Sequence, residues 1–136
     1  MITLKEMFGE KIHSPDATEE RLTNAKELLK RIDLLFDYLE YEPPVCPNTG
    51  TQISGSLHGE GDGGFRLQSS KTGAAKSSHK EGQAIDIYDP YNQLDDMLSD
   101  KILEKFNLYR EHPSATPHWC HLTTRAPRSG NRTFYP

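Results

Sequence analysis

The chain has 136 residues, enough for one ordinary domain and too few for a second with its own core. Only 34% of them are hydrophobic, and a mean hydropathy of -0.76 with no long apolar run excludes a transmembrane helix. A formal charge of -4 argues against binding nucleic acid, which needs a basic footprint.

Met1 to Phe8 lacks the basic and apolar regions of a secretory signal, so no membrane partner is expected and the cytoplasm of the producing cell is the expected place. Cys46 and Cys120 stand 74 positions apart with no CxxC pair, which is neither a disulfide scaffold nor a four-cysteine zinc module. A reducing compartment fits this usage. So thin an apolar complement predicts a further source of stability, and a bound metal is one of the usual ones.

In chain order, residues 16 to 41 read as the one strong helix. Asp16 is placed to cap it with Glu19 three positions on, and Leu22, Ala25, Leu28, Leu29, Ile32, Leu35, Phe36 and Leu39 recur at helical spacing. Pro43 and Pro44 end it. Cys46 to Gly64, rich in Gly, Ser, Thr and Asn, reads as a long loop broken at most by a short strand. Gly82 to Tyr88 alternates, with Ile85 and Ile87 on one face and Ala84, Asp86 and Tyr88 on the other, as in a strand. Tyr91, Leu94, Leu98, Ile102 and Phe106 predict a second helix over 91–106. Leu108 to Arg110 reads as a strand, Pro113 to Pro117 as a turn, His118 to Thr124 as another strand, and Arg125 to Pro136 as an irregular tail. The expected class is α+β, a small antiparallel sheet flanked by helices.

Six histidines raise the question of which converge: His13, His58, His79, His112, His118 and His121. His79 lies in a loop just before the strand that carries Asp86. Gly82 allows a tight turn between them, and small Ala84 leaves space beside the carboxylate. Asp86 faces away from two isoleucines, so it either points to solvent or, if buried, needs a partner such as a cation. His118 and His121 would face opposite ways on a regular strand. Pro117, however, makes His118 a strand entry that can turn toward the same cleft. His79, Asp86 and His121 together would make the open three-ligand set of catalytic zinc, with the fourth position left for water.

The segment Ser77 to Asp86 follows the pattern Ser-x-His-x-x-Gly-x-Ala-x-Asp, and His118-x-x-His121 follows some tens of residues later. This pairing resembles the zinc D-alanyl-D-alanine carboxypeptidase family, which includes dipeptidases and phage endopeptidases and shares its fold with the hedgehog signalling domain. The similarity covers roughly residues 53 to 124. It implies a hedgehog/DD-peptidase-like fold, Zn2+ held by His79, Asp86 and His121, and a general base three positions before the last ligand. That position is His118 here, where several branches carry Glu. Either group can accept a proton at neutral pH, with different pH optima expected.

Gly63-Gly64-Phe65-Arg66 resembles the family's Gly-Tyr-Arg element. Arg66 is therefore expected to bind substrate and to stabilise the oxyanion formed when water attacks an amide. The plainer alternative is a surface arginine on a glycine loop. Ser77 either binds a substrate terminus or caps the loop. Cys120 would point away from His121 as a small buried residue. The run His58-Gly59-Glu60-Gly61-Asp62 could bind a cation, although such loops are usually only flexible, and Arg125, Arg128 and Arg132 form a tail that is solvated by default.

The activity implied is hydrolysis of peptide bonds in the peptide stems of bacterial peptidoglycan, as carboxypeptidase or endopeptidase, by an enzyme of phage or bacterial origin, in the producing cell or carried by a phage. The alternative is a zinc-binding structural or recognition module of a phage particle without peptidase activity.

Overall fold

The computed structural model describes residues 1–56 and 63–136. A short first helix, α1 (Leu4–Phe8), is held by a reciprocal capping box in which the Thr3 hydroxyl accepts from the Glu6 amide while the Glu6 carboxylate accepts from the Thr3 amide. Its buried end carries Phe8, whose ring stacks on Phe65 at 4.3 Å. The Phe65 amide donates to the Met7 carbonyl, and Lys11 Nζ donates to the Phe65 carbonyl. The N-terminal segment thereby fixes the backbone that leads into Arg66.

The long helix α2 (Glu19–Leu39) begins later than its apolar pattern suggested. Thr18, not Asp16, is its cap, and accepts from the Arg21 amide. The Asp16 carboxylate instead accepts from the Gln68 amide, tying the preceding turn to a distant loop. Ala25, Leu28, Ile32, Leu35 and Phe36 form the buried stripe, and Glu40 ends the helix in the left-handed region.

Residues 91–106 do not form one helix. They make two, α3 (Gln93–Met97) and α4 (Asp100–Lys105), because Leu98 is extended and the Ser99 hydroxyl caps a fresh turn by accepting from the Ile102 amide. Leu94 and Leu98 are buried as expected, Ile102 and Phe106 only partly, and Tyr91 is exposed, while Leu103, outside the expected stripe, is fully buried. The Asp89 carboxylate accepts from the Leu94 and Asp95 amides and anchors α3.

Strands β1 (Ala84–Tyr88), β2 (Tyr109–Glu111), β3 (Trp119–Thr123) and β4 (Thr133–Phe134) form one sheet in the order β1-β3-β2-β4. β1, β3 and β2 are antiparallel, but β4 runs parallel to β2, so the sheet is mixed rather than purely antiparallel and the tail is not wholly irregular. Backbone bonds from Arg110 N to Arg132 O and from His112 N to Phe134 O draw β4 in. The Arg132 guanidinium lies over the Tyr109 ring and donates to the Asn107 side chain and the Leu108 carbonyl. Among its described residues the long loop contributes an isolated bridge to the sheet, Ile53 with Ile87.

Ile85, Ile87, Cys120 and Leu122 are fully buried on the inner face of the sheet and join one apolar cluster with the α2 stripe, Phe8 and Phe65. Both cysteines are buried and free. Burial pushes the Cys120 thiol well up, so it is neutral, in keeping with a small apolar filler. No described helix is long and apolar enough to cross a membrane.

The inner face also holds Asp95, whose backbone carbonyl and carboxylate both meet the Arg110 guanidinium. Burial raises the Asp95 carboxyl to about 6, with Arg110 and the Cys120 thiol pulling it back only partly. The unfolded value is about 3.9, so the folded state holds the extra proton and stability grows as pH falls from about 6 toward 4. Measured in chelator, the unfolding free energy of the natural chain minus that of Asp95→Asn is expected to rise by about 2 kcal/mol between pH 7 and about 4.5. A difference that stays flat with pH contradicts this.

Candidate cation site

Asp86 and His121 are cross-strand partners in the β1–β3 register, so their side chains share a face, opposite Ile85, Ile87 and Leu122. His79 comes from a 3-10 turn, Ser78–Glu81, immediately before β1. The Ser77 hydroxyl caps that turn by accepting from the His79 amide, and Gly82 closes it in the left-handed region.

The three side chains meet. His121 Nδ1 is 2.9 Å and His79 Nε2 is 3.4 Å from the same Asp86 oxygen, Oδ1, and one donor atom from each residue lies within 4.8 Å of the others. A tetrahedral ion bonded to N and O at about 2.0–2.2 Å separates its donors by roughly 3.3–3.6 Å, so small movements of these side chains would admit one. His79 Nδ1 lies 3.0 Å from the Gly64 carbonyl. A carbonyl can only accept, so Nδ1 donates to it, and Nε2 is the ring nitrogen that faces Asp86 and is placed to meet a cation. The donor set, two imidazoles and a carboxylate with the tautomer of one fixed from behind, fits a divalent cation.

His79 is 3% exposed and Asp86 8%, which decides between the two sequence readings of Asp86: it is buried and partnered. Burial alone would raise its carboxyl, yet the His79 and His121 imidazoles more than offset this and hold it well below the usual carboxylate range. For His121, burial pushes the imidazole down, but Asp86 and Glu111 outweigh burial and the Arg66 charge, leaving it raised.

Arg66 is buried beside the cluster, not on the surface. Its Nη2 is 3.7 Å from Asp86 Oδ2, and Nη1 donates to the Thr72 carbonyl at 3.3 Å and to the Ser77 hydroxyl at 3.5 Å. Ser77 therefore joins the loop that carries His79 to the arginine. Arg66, Asp86, Tyr88, His118 and Trp119 line an open groove of about 580 Å³. His118 sits on its rim, outside the His79–Asp86–His121 group, with a φ of 73° that lets the chain turn there as Pro117 suggested. Its Nδ1 lies 3.2 Å from the Pro90 carbonyl, which leaves Nε2 as the acceptor.

The other described histidines do not join the cluster. His112 caps the turn at Pro113–Ala115 and stacks on Tyr135, and His13 ends the 3-10 turn after α1. His58 and the rest of the acidic glycine run to Asp62 lie outside the described residues. Of the tail arginines, Arg125 donates to the Lys76 carbonyl. One neighbour of the site escaped the sequence reading: Glu111, whose Oε2 is 3.9 Å from His121 Nδ1. Its only signal was the β2–β3 register, which spacing alone does not reveal. No family model matches the chain, and comparison with curated proteins and with solved structures finds no match either.

Proposed function

We propose that the chain is a zinc-dependent peptidase of hedgehog/DD-peptidase-like fold that hydrolyses peptide bonds in the stems of bacterial peptidoglycan, as carboxypeptidase or endopeptidase. The observation that carries it is the meeting of His79, Asp86 and His121 at the edge of a groove that also presents Arg66. The resemblance of Ser77–Asp86 and His118–His121 to the carboxypeptidase motifs supplies the substrate class.

Zinc in such a set supplies a Lewis acid that makes water a nucleophile near neutral pH. The chain's own residues do the rest. The Gly64 carbonyl and Asp86 hold the two imidazoles in register. Arg66, fixed by Thr72 and Ser77, offers a guanidinium to the negative charge that develops on the carbonyl oxygen of the scissile amide. His118 Nε2 takes the proton lost by the attacking water and returns it to the amine that leaves. Trp119 and Tyr88, partners across β1 and β3, floor the groove where a peptide would lie.

The test is incubation of the zinc-loaded protein with soluble muropeptides, followed by mass spectrometry. Paired fragments whose masses sum to substrate plus water are expected, and none from His79→Ala. Arg66→Gln should lower kcat by about 10²–10³-fold, the usual cost of one oxyanion donor, with its zinc content unchanged. If the loaded protein cleaves no muropeptide and matches His79→Ala, the peptidase reading fails and a structural or recognition role replaces it.

A further inference from the structure

The pairing of the sheet extends the candidate site beyond the three residues that meet. β1 pairs Asp86 with His121. β2 and β3 pair Tyr109 with Thr123 and Arg110 with Leu122, and the same register continued by one residue brings Glu111 level with His121. β4 in turn pairs Phe134 with Glu111. Asp86, His121, Glu111 and Phe134 therefore form a single transverse row across all four strands, on one face of the sheet. The row is packed as well as aligned, with the Phe134 ring meeting His121 edge-on at 6.3 Å.

Glu111 is an unusual member of that row. Its side chain is 21% exposed, and among the described residues its carboxylate makes no hydrogen bond. Its ionic neighbour among the described residues is His121 Nδ1 at 3.9 Å, the same atom that faces Asp86 Oδ1 at 2.9 Å. It falls outside the group of donors that lie within 4.8 Å of one another, so it is not placed as a ligand. A partly buried carboxylate attracts a nearby positive charge more strongly than one in open water does. A divalent cation among His79, Asp86 and His121 is such a charge, and only weakly screened at this burial.

We propose that Glu111 is an outer carboxylate of the cation site, which strengthens binding of the ion through its charge and by steadying His121 without itself becoming a ligand. This rests on the cation reading of His79, Asp86 and His121. It makes Glu111 a positioning residue and gives the short β4 strand a purpose, since Phe134 backs the row on its far side.

Competition of Zn2+ between the protein and a chromophoric chelator measures the effect directly, without turnover. Glu111→Gln, nearly identical in shape, should weaken Zn2+ binding by about tenfold, within the range that outer-shell partners of metal ligands command. Glu111→Asp keeps the charge at slightly longer range and should recover to within about threefold of the natural chain. The Co2+-substituted forms should keep the same visible absorption intensity in all three, because the ligand set is unchanged.

Equal Zn2+ affinity in Glu111→Gln and the natural chain, with His79→Ala much weaker than both, overturns the role of Glu111 and leaves the cation site standing. An altered Co2+ spectrum in Glu111→Gln overturns it in the other direction, making Glu111 a ligand. If the natural chain binds Zn2+ no better than His79→Ala, the cation reading falls and this inference falls with it.

Discussion

Removing the divalent cation with a chelator should lower the melting temperature by roughly 15 °C when the loaded sample contains free ion at about a thousand times its Kd. An ion that binds only the folded chain then adds about 4 kcal/mol, and a chain of this size shifts by about 4 °C per kcal/mol. The structure makes the expected linkage strong, because the three candidate ligands lie on separate segments: His79 on a 3-10 turn, Asp86 on β1 and His121 on β3. An ion among them ties the loop that precedes the sheet to its two inner strands. The unfolded chain, with 34 residues between Asp86 and His121, cannot bind it comparably. His79→Ala should abolish the shift and melt alike with or without zinc, with cation affinity down by more than about a hundredfold, beyond what outer partners are worth.

The pH dependence of that shift has a definite sign. In the metal-free protein the His121 imidazole is raised by Asp86 and Glu111 against the effect of burial. Its contribution to stability is therefore present in full below the unfolded value of about 6.5 and is lost as pH rises through the higher folded value. The cation needs the same nitrogen unprotonated, so it gains affinity as that proton leaves. The gap in melting temperature between loaded and chelated samples should thus widen between about pH 5.5 and 7.5. Equal melting temperatures with and without chelator, or a gap that narrows over that range, contradict the site.

Much of this centre was legible because it depends on local periodicity. Alternation in β1 puts Asp86 opposite Ile85 and Ile87, and the apolar stripe of α2 announces its buried face. What alternation could not decide was whether Asp86 met solvent or a partner, since that depends on β3 arriving beside it from 35 residues away. The start of α2 was misplaced because Asp16 and Thr18 are both good caps, and the competition was settled by a distant amide, that of Gln68. The helix expected over 91–106 broke at Ser99, whose hydroxyl rewards a new N-terminus at little local cost. β4 was invisible for a different reason. Two residues carry no period, and Thr133–Phe134 is a strand only because β2 offers it an edge. Glu111 shares that history, because its nearness to His121 is a property of register between strands.

Gly82→Ala should be strongly damaging although Gly82 lies outside the His79–Asp86–His121 group. Gly82 sits at φ +72°, closing the turn that carries His79, and a Cβ added there would drive into the Arg21 carbonyl oxygen on the first turn of α2. The neighbouring contacts leave little room to yield. Arg21 pairs with Glu81 at 3.3 Å, and Asn24 Nδ2 donates to the Glu81 carbonyl at 3.0 Å, so turn and helix are joined twice at the residue just before the glycine. The left-handed backbone alone costs a non-glycine residue about 1–2 kcal/mol, and parting two backbones raises the total to about 3–5 kcal/mol. In urea this is a fall in the midpoint of about 2 M at an ordinary slope.

Gly130→Ala separates the two components. Gly130 has φ +74° with nothing within 4 Å of an added Cβ, so it suffers the backbone cost without the collision and should lose only about 1 kcal/mol. The two variants should also part in cation affinity, because only Gly82 sits between α2 and a ligand. Displacing the turn moves His79 Nε2 off Asp86 Oδ1, and Zn2+ binding should weaken in Gly82→Ala while staying unchanged in Gly130→Ala. If both lose the same stability and bind zinc alike, the close approach of α2 to the His79 turn does not govern the site.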